Sequence, residues 1–482
     1  MLLSSEQCPQ AHYQVVVIGG GLGGMTVANI LASRGQQVLL LEAHDKLGGL
    51  ATWFHRRSHI FDVALHGFPY GMLKSLRRYW GKSIADLIVP LKNVRFINPQ
   101  FDLTTSYTRE DFGKLLLEHF KIPPQTTHSF FERVMGITAD GGPNTNEVPF
   151  SAGQLFDEYF PGRPDVVRFL MEPITYANGH TLEDPALTYA IVFANFMRHG
   201  IYTIEGGTDL LVSMMQDELI KNKVDIKLNT AVNTIRITPG SNKVCGVEID
   251  GRLINAPIVI SNANLLATIH SMVGDTFFRK EFLQKVSAVE LNTSSCQVYL
   301  GIKDGETIPE VGDLIFYSDA HHFDTELLLN KKISSRTFSL YYPRQRPHSN
   351  RSNRYTIVAS SNSRYSDWQQ LSPAEYRAAK QAMIEDTLQC LERLLPEFVN
   401  IRDKIDCCTA ATPLTFERYT RHWQGASFGT KYPGLAISQQ LSTEIAGLYH
   451  CGSVGIIMSG WLGAINYAAI TANAVEGRLL LL

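Results

Sequence analysis

The chain has 482 residues, of which 44% are hydrophobic and 19% are charged, and its formal net charge is −2 at pH 7. This length exceeds one ordinary hydrophobic core and predicts two domains, and the near-neutral charge excludes the broad basic field of a nucleic-acid-binding protein. The seven cysteines include no C-x-x-C pair, which indicates reduced intracellular thiols rather than a disulfide framework, and we expect no metal site.

The sequence predicts no membrane-crossing segment. Residues 1–12 lack the charged-then-apolar pattern of a secretory signal. Residues 186–197, the most apolar stretch outside the glycine-rich segments, are far fewer than the roughly 20 that a spanning helix needs. We therefore expect an intracellular protein, either cytoplasmic or peripheral on a membrane.

The first elements in the chain follow the order strand, turn, helix, strand. Residues 14–18 are an apolar, β-branched run typical of a buried parallel strand, and the glycine-rich turn 19–24 follows it. Residues 25–34 carry apolar side chains at helical spacing, and residues 38–41 predict a second buried strand that ends at Glu42. This order predicts a Rossmann-type βαβ unit.

The turn has the spacing Gly19-x-Gly21-x-x-Gly24, in which each glycine has a physical role. The first permits the tight turn, the second lets the backbone approach a pyrophosphate, and the third permits close packing of helix on strand. A helix that begins near Leu22 presents its positive N-terminal end to phosphates, and Glu42 stands where a carboxylate accepts hydrogen bonds from a ribose. The segment therefore predicts a dinucleotide site.

Similar elements return later in the chain. Residues 200–208 predict a turn that opens a helix, and strand-like runs follow at residues 224–228, 232–237 and 244–249. The C-terminal block, residues 447–482, again has a strand, a glycine-rich turn and a helix of small residues.

We therefore predict an α/β fold with two domains. A Rossmann-like FAD/NAD(P)-binding domain is built from the discontinuous segments 12–72, 200–264 and 435–482. A mixed α+β substrate-binding domain takes up residues 73–199 and 265–434, and residues 349–353 predict an exposed loop.

After Glu42 the sequence resembles the amine oxidase and phytoene desaturase group of flavoproteins. Gly48 and Gly49 match the Gly-Gly pair that brings the backbone close to the flavin side of the cofactor in that group. Residues 61–66 (FDVALH) are similar to its F-D-x-G-x-H segment, with Ala64 in place of the glycine. The resemblance implies FAD rather than NAD as the cofactor.

The resemblance continues along nearly the whole chain. Residues 200–208 are similar to the group's glycine-pair turn, residues 230–232 to the strand whose valine contacts adenine, and residues 260–263 to its V-S-N-A strand end. The segment 447–452 (GLYHCG) is similar to its G-L-Y-x-x-G strand.

Three segments narrow the subgroup. Residues 412–419 and 425–429 resemble a stretch of carotenoid isomerases and all-trans-retinol 13,14-reductases. Residues 456–459 depart from the His-Pro-Gly-Gly run of carotene desaturases, although Gly460 and Gly463 match glycines that border the flavin. The chain therefore resembles a relative of the phytoene desaturases within the FAD-dependent amine oxidase superfamily.

The fingerprint and the resemblance together predict the positions that contact FAD. These are Gly19, Gly21, Leu22, Gly23, Gly24, Glu42, Ala43, Gly48, Gly49, Val232, Gly452, Ser453, Gly460 and Trp461.

Other candidate residues each have two interpretations. His66 handles a proton near the flavin, as the one catalytic candidate, or is a hydrogen-bonded histidine in a tight turn. Arg418, His422 and Trp423 line a substrate mouth or pack at the surface. Cys451 is predicted to be a buried small residue rather than a flavin attachment site.

One basic, aromatic-containing segment bears on membrane contact. Its cations are Lys74, Arg77, Arg78 and Lys82. The pattern fits an interfacial helix on anionic lipid, and it fits equally an amphipathic helix packed on the protein's own core.

The resemblance implies an FAD-dependent oxidoreductase acting on carbon–carbon bonds of a hydrophobic polyene, a carotenoid or retinoid, by desaturation, saturation or isomerisation. One alternative is an FAD-dependent amine oxidase, with an aromatic cage to which Trp461 and Tyr467 contribute. A second is a non-catalytic FAD- or lipid-binding protein. The sequence assigns no electron acceptor, and no nucleic-acid partner is expected.

Overall fold

The computed structural model describes most of the chain. The described residues are 1–4, 7–139, 150–329, 331–347, 355–394, 398–455 and 457–480. The exposed loop predicted at residues 349–353 and residue 456 of the 456–459 run lie outside them.

A six-stranded sheet contains the predicted strands of the βαβ unit. Its strands, in spatial order, are Leu2–Leu3, Asp225–Lys227, Val38–Leu41, Val15–Ile18, Ile258–Ser261 and Leu448–His450. Every neighbouring pair is parallel. The three strands at its centre are buried at every position, because continuous apolar runs suit a sheet that is covered on both faces.

Helices and a small sheet cover the two faces of this parallel sheet. One face packs against Leu22–Ser33, Gly71–Trp80, Gly207–Lys221 and Gly460–Leu479. The other packs against helices Ala267–Val273, Lys280–Ser287 and Pro433–Glu444 and the antiparallel strands Thr234–Ile237, Val244–Ile249 and Arg252–Asn255. The α/β fold with a Rossmann-like unit is confirmed, while the exact domain boundaries stay a prediction.

The second large sheet has seven strands. Its strands, in spatial order, are Ile405–Ala411, Ser294–Ile302, Thr356–Ser363, Ser335–Tyr341, Leu314–Ser318, Val94–Asn98 and Phe101–Thr105. Neighbours are antiparallel except for Leu314–Ser318 and Val94–Asn98, which run parallel.

Helices cover this sheet as well. The long helix Pro373–Leu394 shares one apolar cluster with it. An aromatic-rich cluster joins the sheet to a group of helices, namely Arg109–Glu118, Pro124–Ala139, Ala152–Tyr159, Pro164–Asn178 and Ala186–His199.

Shorter elements connect the two sheets. Two small antiparallel sheets pair Phe68–Pro69 and Ile88–Pro90 with Ile201–Ile204, and Trp53–Arg56 with His59–Asp62. The remaining α-helices are Lys82–Ala85, Ser366–Gln369, Ile401–Lys404 and Pro413–Thr420. Short 3-10 turns lie at Asp275–Phe277, Leu327–Leu329, Pro343–Gln345 and Trp423–Gly425.

The basic segment after residue 70 is a helix packed on the core. Met72, Leu76 and Trp80 are buried beneath the parallel sheet, whereas Arg77 and Arg78 are exposed. Its apolar side is therefore occupied by protein and not available to lipid, which favours the second interpretation of its sequence. Among the helices of the described residues, none has the length and apolar character needed to cross a bilayer.

Candidate nucleotide and substrate cavity

The glycine turn after the first buried strand is shaped by contact with one asparagine. Gly19 has φ +93°, a conformation that favours glycine, and its carbonyl accepts a 3.3 Å hydrogen bond from Asn262 Nδ2. A Cβ atom on Gly21 would lie 2.9 Å from Asn262 Nδ2, and one on Gly23 would lie 2.6 Å from Asn262 Oδ1. A side chain at either position would have to displace Asn262, so close packing against this residue requires both glycines.

Two predicted contact residues serve packing instead of lining the cavity. A Cβ on Gly24 would lie 1.9 Å from the Gly19 carbonyl oxygen, and one on Gly452 would lie 2.5 Å from the Ala263 carbonyl oxygen. Neither residue lines the cavity described below. They allow the helix and the last strand of the parallel sheet to approach the glycine turn.

The Gly48–Gly49 pair packs directly on the same turn. Gly48 has φ +119° and Gly49 has φ +60°, and the Gly48 N–H donates a 2.8 Å hydrogen bond to the Gly20 carbonyl. A Cβ on Gly49 would lie 3.0 Å from Gly21 Cα. Close approach of the two backbones therefore favours glycine at position 49, whereas a Cβ on Gly48 would lie 2.7 Å from the Ala51 carbonyl oxygen.

Glu42 is held at the end of its strand by two backbone N–H groups. Its Oε2 accepts from Gly20 N at 2.6 Å, and its Oε1 accepts from His44 N at 2.8 Å. Burial raises the pKa of the Glu42 carboxyl, since its desolvation outweighs these hydrogen bonds. The side chain lies at the wall of the cavity, in the position predicted for a ribose contact.

One cavity of about 1480 Å³ runs along the carboxyl ends of the parallel strands and into the second sheet. Of the predicted FAD contacts, it is lined by Gly19, Gly21, Leu22, Gly23, Glu42, Ala43, Gly48, Gly49, Val232, Ser453, Gly460 and Trp461. The part of its wall nearest the helical layer is largely apolar and includes Pro173, Tyr176, Ile191, Val192, Phe196 and Phe316. We call this part the apolar arm.

His66 lies in this cavity within a hydrogen-bonded cluster. Gln297 Nε2 lies 3.2 Å from His66 Nε2, and Ser339 Oγ lies 2.9 Å from His66 Nδ1. The Tyr299 hydroxyl donates to Gln297 Oε1, which leaves the amide nitrogen as the group that faces the imidazole. His66 Nε2 is therefore the acceptor and Nδ1 carries the proton, which it donates to Ser339.

Desolvation fixes the charge of this histidine. Burial lowers the pKa of His66 to about 4, so the ring is neutral near pH 7. Ser360 Oγ is a further neighbour, 3.2 Å from Nε2.

The partners of His66 were not predicted from the sequence. Gln297 and Ser360 are paired across neighbouring antiparallel strands, so their side chains lie together on one face of the sheet. The available signal was the presence of polar residues inside otherwise apolar strands such as Ser294–Ile302.

Arg418, His422 and Trp423 all line the cavity, and whether they lie at a substrate mouth stays a prediction. His422 Nδ1 lies 2.9 Å from the Ala426 carbonyl oxygen, and burial lowers the pKa of the ring. Surface packing alone does not describe these three residues.

Of the two residues predicted for the aromatic cage of the amine oxidase alternative, one does not line the cavity. Trp461 lines the cavity and stacks on Phe68 at 5.5 Å between ring centroids. Tyr467 is buried, does not line the cavity, and lies 2.6 Å from Ser438 Oγ through its hydroxyl. Cys451 is fully buried and does not line the cavity either, which confirms its prediction as a small core residue.

A buried ion pair joins two segments that are distant in the sequence. Asp62, in the FDVALH segment, accepts from the Thr208 N–H at 2.8 Å and lies 2.6 Å from Arg346 Nη2. Arg346 also donates to the Gly206 carbonyl at 3.1 Å and to Asp209 at 2.5 Å. Its guanidinium lies against Gly207, where a Cβ would be 2.1 Å from a guanidinium nitrogen.

Comparison with known proteins finds one domain family near the start of the chain and relatives that match almost its whole length. Residues 17–82 match the NAD(P)-binding Rossmann-like domain family. Human all-trans-retinol 13,14-reductase is 21% identical, with 99% of this chain and 87% of that protein covered. The 4,4'-diapolycopene oxygenase of Methylomonas sp is 24% identical, covering 97% and 98%. Chloroplastic prolycopene isomerase of Arabidopsis thaliana is 24% identical, covering 98% and 85%.

The resemblance to the phytoene desaturase, carotenoid isomerase and retinol reductase group is confirmed. Among solved structures, a putrescine oxidase variant superimposes with a TM-score of 0.66 at 14% identity, covering 97% of this chain and 99% of that one. At this identity the likeness establishes the shared fold alone.

Proposed function

We propose that this chain is an FAD-dependent oxidoreductase that acts on carbon–carbon bonds of a hydrophobic polyene, a carotenoid or retinoid, by desaturation, saturation or isomerisation. One observation carries the proposal: the glycine turn, the Gly-Gly pair and the apolar arm all line a single cavity. The relatives named for retinol, diapolycopene and prolycopene support the same substrate class.

The residues at the nucleotide end of the cavity fit FAD. Side chains are excluded at Gly21, Gly23 and Gly49, which leaves a backbone cradle at the N-terminal end of helix Leu22–Ser33. Glu42 would bind the adenosine ribose, and Gly460 and Trp461 would border the flavin. A bound flavin supplies hydride transfer, while the chain supplies binding, orientation and exclusion of water.

The apolar arm fits an extended hydrocarbon. Sites for small ligands usually measure about 300–1,000 Å³. The cavity of about 1480 Å³ therefore has room for a second, elongated molecule beside the cofactor. Burial of a polyene against the arm is favoured by about 25 cal/mol for each Å² of apolar surface removed from water.

The amine oxidase alternative receives less support from the cavity. A compact amine needs a short site with a few convergent aromatic and polar groups, whereas Tyr467 lies behind the cavity wall. We therefore favour the polyene.

Within this proposal His66 has a positioning role. Both ring nitrogens are already hydrogen-bonded and the ring is neutral near pH 7, so it is better suited to hold a fixed polar surface than to store a proton.

We also propose that the protein is intracellular. Any contact with a membrane would be peripheral and electrostatic. Lys74, Arg77, Arg78 and Lys82 are exposed, but Asp86 forms ion pairs with Arg77 and Lys82 and weakens the patch. Neutralising the four cations should reduce binding to anionic liposomes and flatten its salt dependence, since each contributes about 1 kcal/mol. If liposome binding changes neither with salt concentration nor with these substitutions, this surface is not the membrane contact.

Chain-length dependence of substrate binding tests the proposal. The affinity of the FAD-loaded protein should rise along a series of polyenes of increasing length until the arm is filled. Ile191→Trp, within the arm, should weaken binding of the longest polyenes and leave FAD binding unchanged. The control is Leu117→Trp, at an exposed position of helix Arg109–Glu118 outside the cavity. Affinity that ignores length and favours small amines would contradict the proposal.

A further inference from the structure

Residues 418–423 touch the nucleotide end of the cavity from the second sheet's side. They run from the end of helix Pro413–Thr420 to the turn Trp423–Gly425. The Tyr419 ring lies 6.0 Å from the His44 ring, and the Trp423 ring stacks on His270 at 5.8 Å with an interplanar angle of 14°.

These two contacts lie on opposite sides of the glycine turn. His44 follows strand Val38–Leu41, and His270 lies in the helix that follows strand Ile258–Ser261. In the parallel sheet, strand Val15–Ile18 lies between those two strands and ends at the glycine turn. Residues 418–423 therefore span the groove in which the turn lies.

The segment carries two exposed arginines that lie at the cavity wall. Arg418 and Arg421 both line the cavity, and no ion pair joins either of them to a carboxylate in the described part of the chain. Arg418 contacts the Tyr419 ring, with its guanidinium carbon 5.6 Å from the ring centroid. Glu417, the nearest acid in sequence, already accepts hydrogen bonds from Tyr365 and Gln424.

The glycine turn itself has no cationic side chain between residues 19 and 24. Its backbone N–H groups and the end of helix Leu22–Ser33 are therefore the turn's own means of stabilising a diphosphate. Two guanidinium groups opposite would complement them, because guanidinium binds phosphate oxygens through charge-assisted hydrogen bonds.

The backbone of the segment is held in an unusual conformation. Arg421 has φ +56° and Gln424 has φ +54°, a region that side-chain-bearing residues rarely occupy. The His422 N–H donates to Thr420 Oγ1 at 3.2 Å, and the Gln424 N–H donates to Glu417 Oε1 at 3.0 Å. These bonds fix the turn that carries Arg421.

We propose that residues 418–423 form a clamp over the adenosine diphosphate half of the cofactor, with Arg418 and Arg421 as counter-charges for its diphosphate. This inference rests on the proposed cofactor, but it is independent of the polyene. Tyr419 and Trp423, through His44 and His270, hold the clamp across the groove.

Ligand affinity tests the clamp without any turnover. Flavin-stripped, full-length protein is titrated with FAD, ADP and riboflavin, for wild type, R418Q/R421Q and R418K/R421K. The control is R77Q/R78Q, which removes two exposed arginines of helix Gly71–Trp80 that do not line the cavity. R418Q/R421Q should weaken FAD and ADP by about tenfold or more and flatten their salt dependence. Riboflavin affinity and the control should not change, and the lysine variant should recover part of the loss.

The clamp would be overturned if R418Q/R421Q bound FAD and ADP each as tightly as the wild-type protein does. A loss shared by riboflavin, together with a lower unfolding midpoint, would also overturn it, because the arginines would then act on the fold. ADP binding that depends on the arginines in a protein that takes up no FAD would support the clamp and refute the proposed cofactor.

Discussion

The Arg346 guanidinium lies 2.6 Å from the Asp62 carboxylate, although the two residues are 284 positions apart in the chain. Both side chains are almost completely buried, and Asp62 also accepts a hydrogen bond from the Thr208 hydroxyl. The pair joins the segment that leads to His66 to the glycine-pair turn at residues 206–207. Asp62 lies four positions before His66, so the pair anchors the start of that segment.

Breaking this ion pair should destabilise the protein strongly. Arg346→Met leaves the Asp62 carboxylate buried without its partner, and such changes cost about 3–5 kcal/mol. Asp62→Asn together with Arg346→Met should cost less than the sum of the two single changes. The free energy of unfolding in urea measures both effects. Arg364→Met is the control, because its pair with Glu326 is exposed and is expected to contribute less than about 1 kcal/mol. Costs for Arg346→Met as small as those of the control would show that the pair is not structural.

Two glycine substitutions should have opposite effects on stability. Gly24→Ala places a methyl group 1.9 Å from the Gly19 carbonyl oxygen and must displace the helix from its strand. Gly113→Ala, in helix Arg109–Glu118, meets no atom within 4 Å and should stabilise the helix by about 0.5–1 kcal/mol. Thermal unfolding of both variants, with and without FAD, measures the difference. A Gly24→Ala protein as stable as wild type would show that the helix has room to move.

The βαβ unit could be predicted because its signals are local. Within residues 14–42, the structure can be predicted from apolar runs, glycine spacing and a terminal acid, because these features depend only on residues that are close in the sequence. The cluster around His66 could not be predicted in this way. Gln297 and Ser360 lie 231 and 294 positions from His66, and only sheet register brings them together.

Amphipathic patterns were ambiguous for a different reason. The helix Gly71–Trp80 has an apolar side that suits lipid and protein equally, and only the fold shows that Met72, Leu76 and Trp80 pack on the core. Tyr467 was misplaced because the start of helix Gly460–Leu479 lines the cavity, whereas this later residue faces Ser438.

The neutral state of His66 predicts a specific pH dependence of stability. Its pKa is about 4 in the folded protein and about 6.5 in an unfolded chain. As the pH falls from about 6.5 to about 4, the unfolded state takes up a proton that the folded state does not. Stability is therefore complete above about pH 6.5 and falls by about 1.4 kcal/mol per pH unit through this window.

His66→Gln removes this titration. The difference in unfolding free energy between wild type and His66→Gln, measured from pH 7.5 to pH 5, should shrink or reverse as the pH falls. A difference that is constant across this range would contradict a depressed pKa at His66.

Loss of the Glu42 carboxylate should weaken FAD binding. If Glu42 binds the ribose as proposed, Glu42→Ala removes a charge-assisted hydrogen bond that contributes about 1.5–3 kcal/mol, or roughly 10- to 150-fold in the dissociation constant. Flavin fluorescence on titration of the stripped protein measures it. Glu205→Ala is a matched control, because Glu205 lies beside a glycine turn but does not line the cavity. The same dissociation constant for Glu42→Ala and the control would show that Glu42 does not contact the ribose.

The most direct test of the central claim is the reaction of the FAD-loaded protein with carotenoids, retinol and simple amines, with the flavin oxidised and pre-reduced. The flavin spectrum and the products are followed together. We predict that the protein converts a polyene. The product is either changed in saturation, with a matching change of the flavin redox state, or isomerised. Amines should have no effect. Reduction of the flavin by amines with release of peroxide, and no reaction with any polyene, would contradict the account.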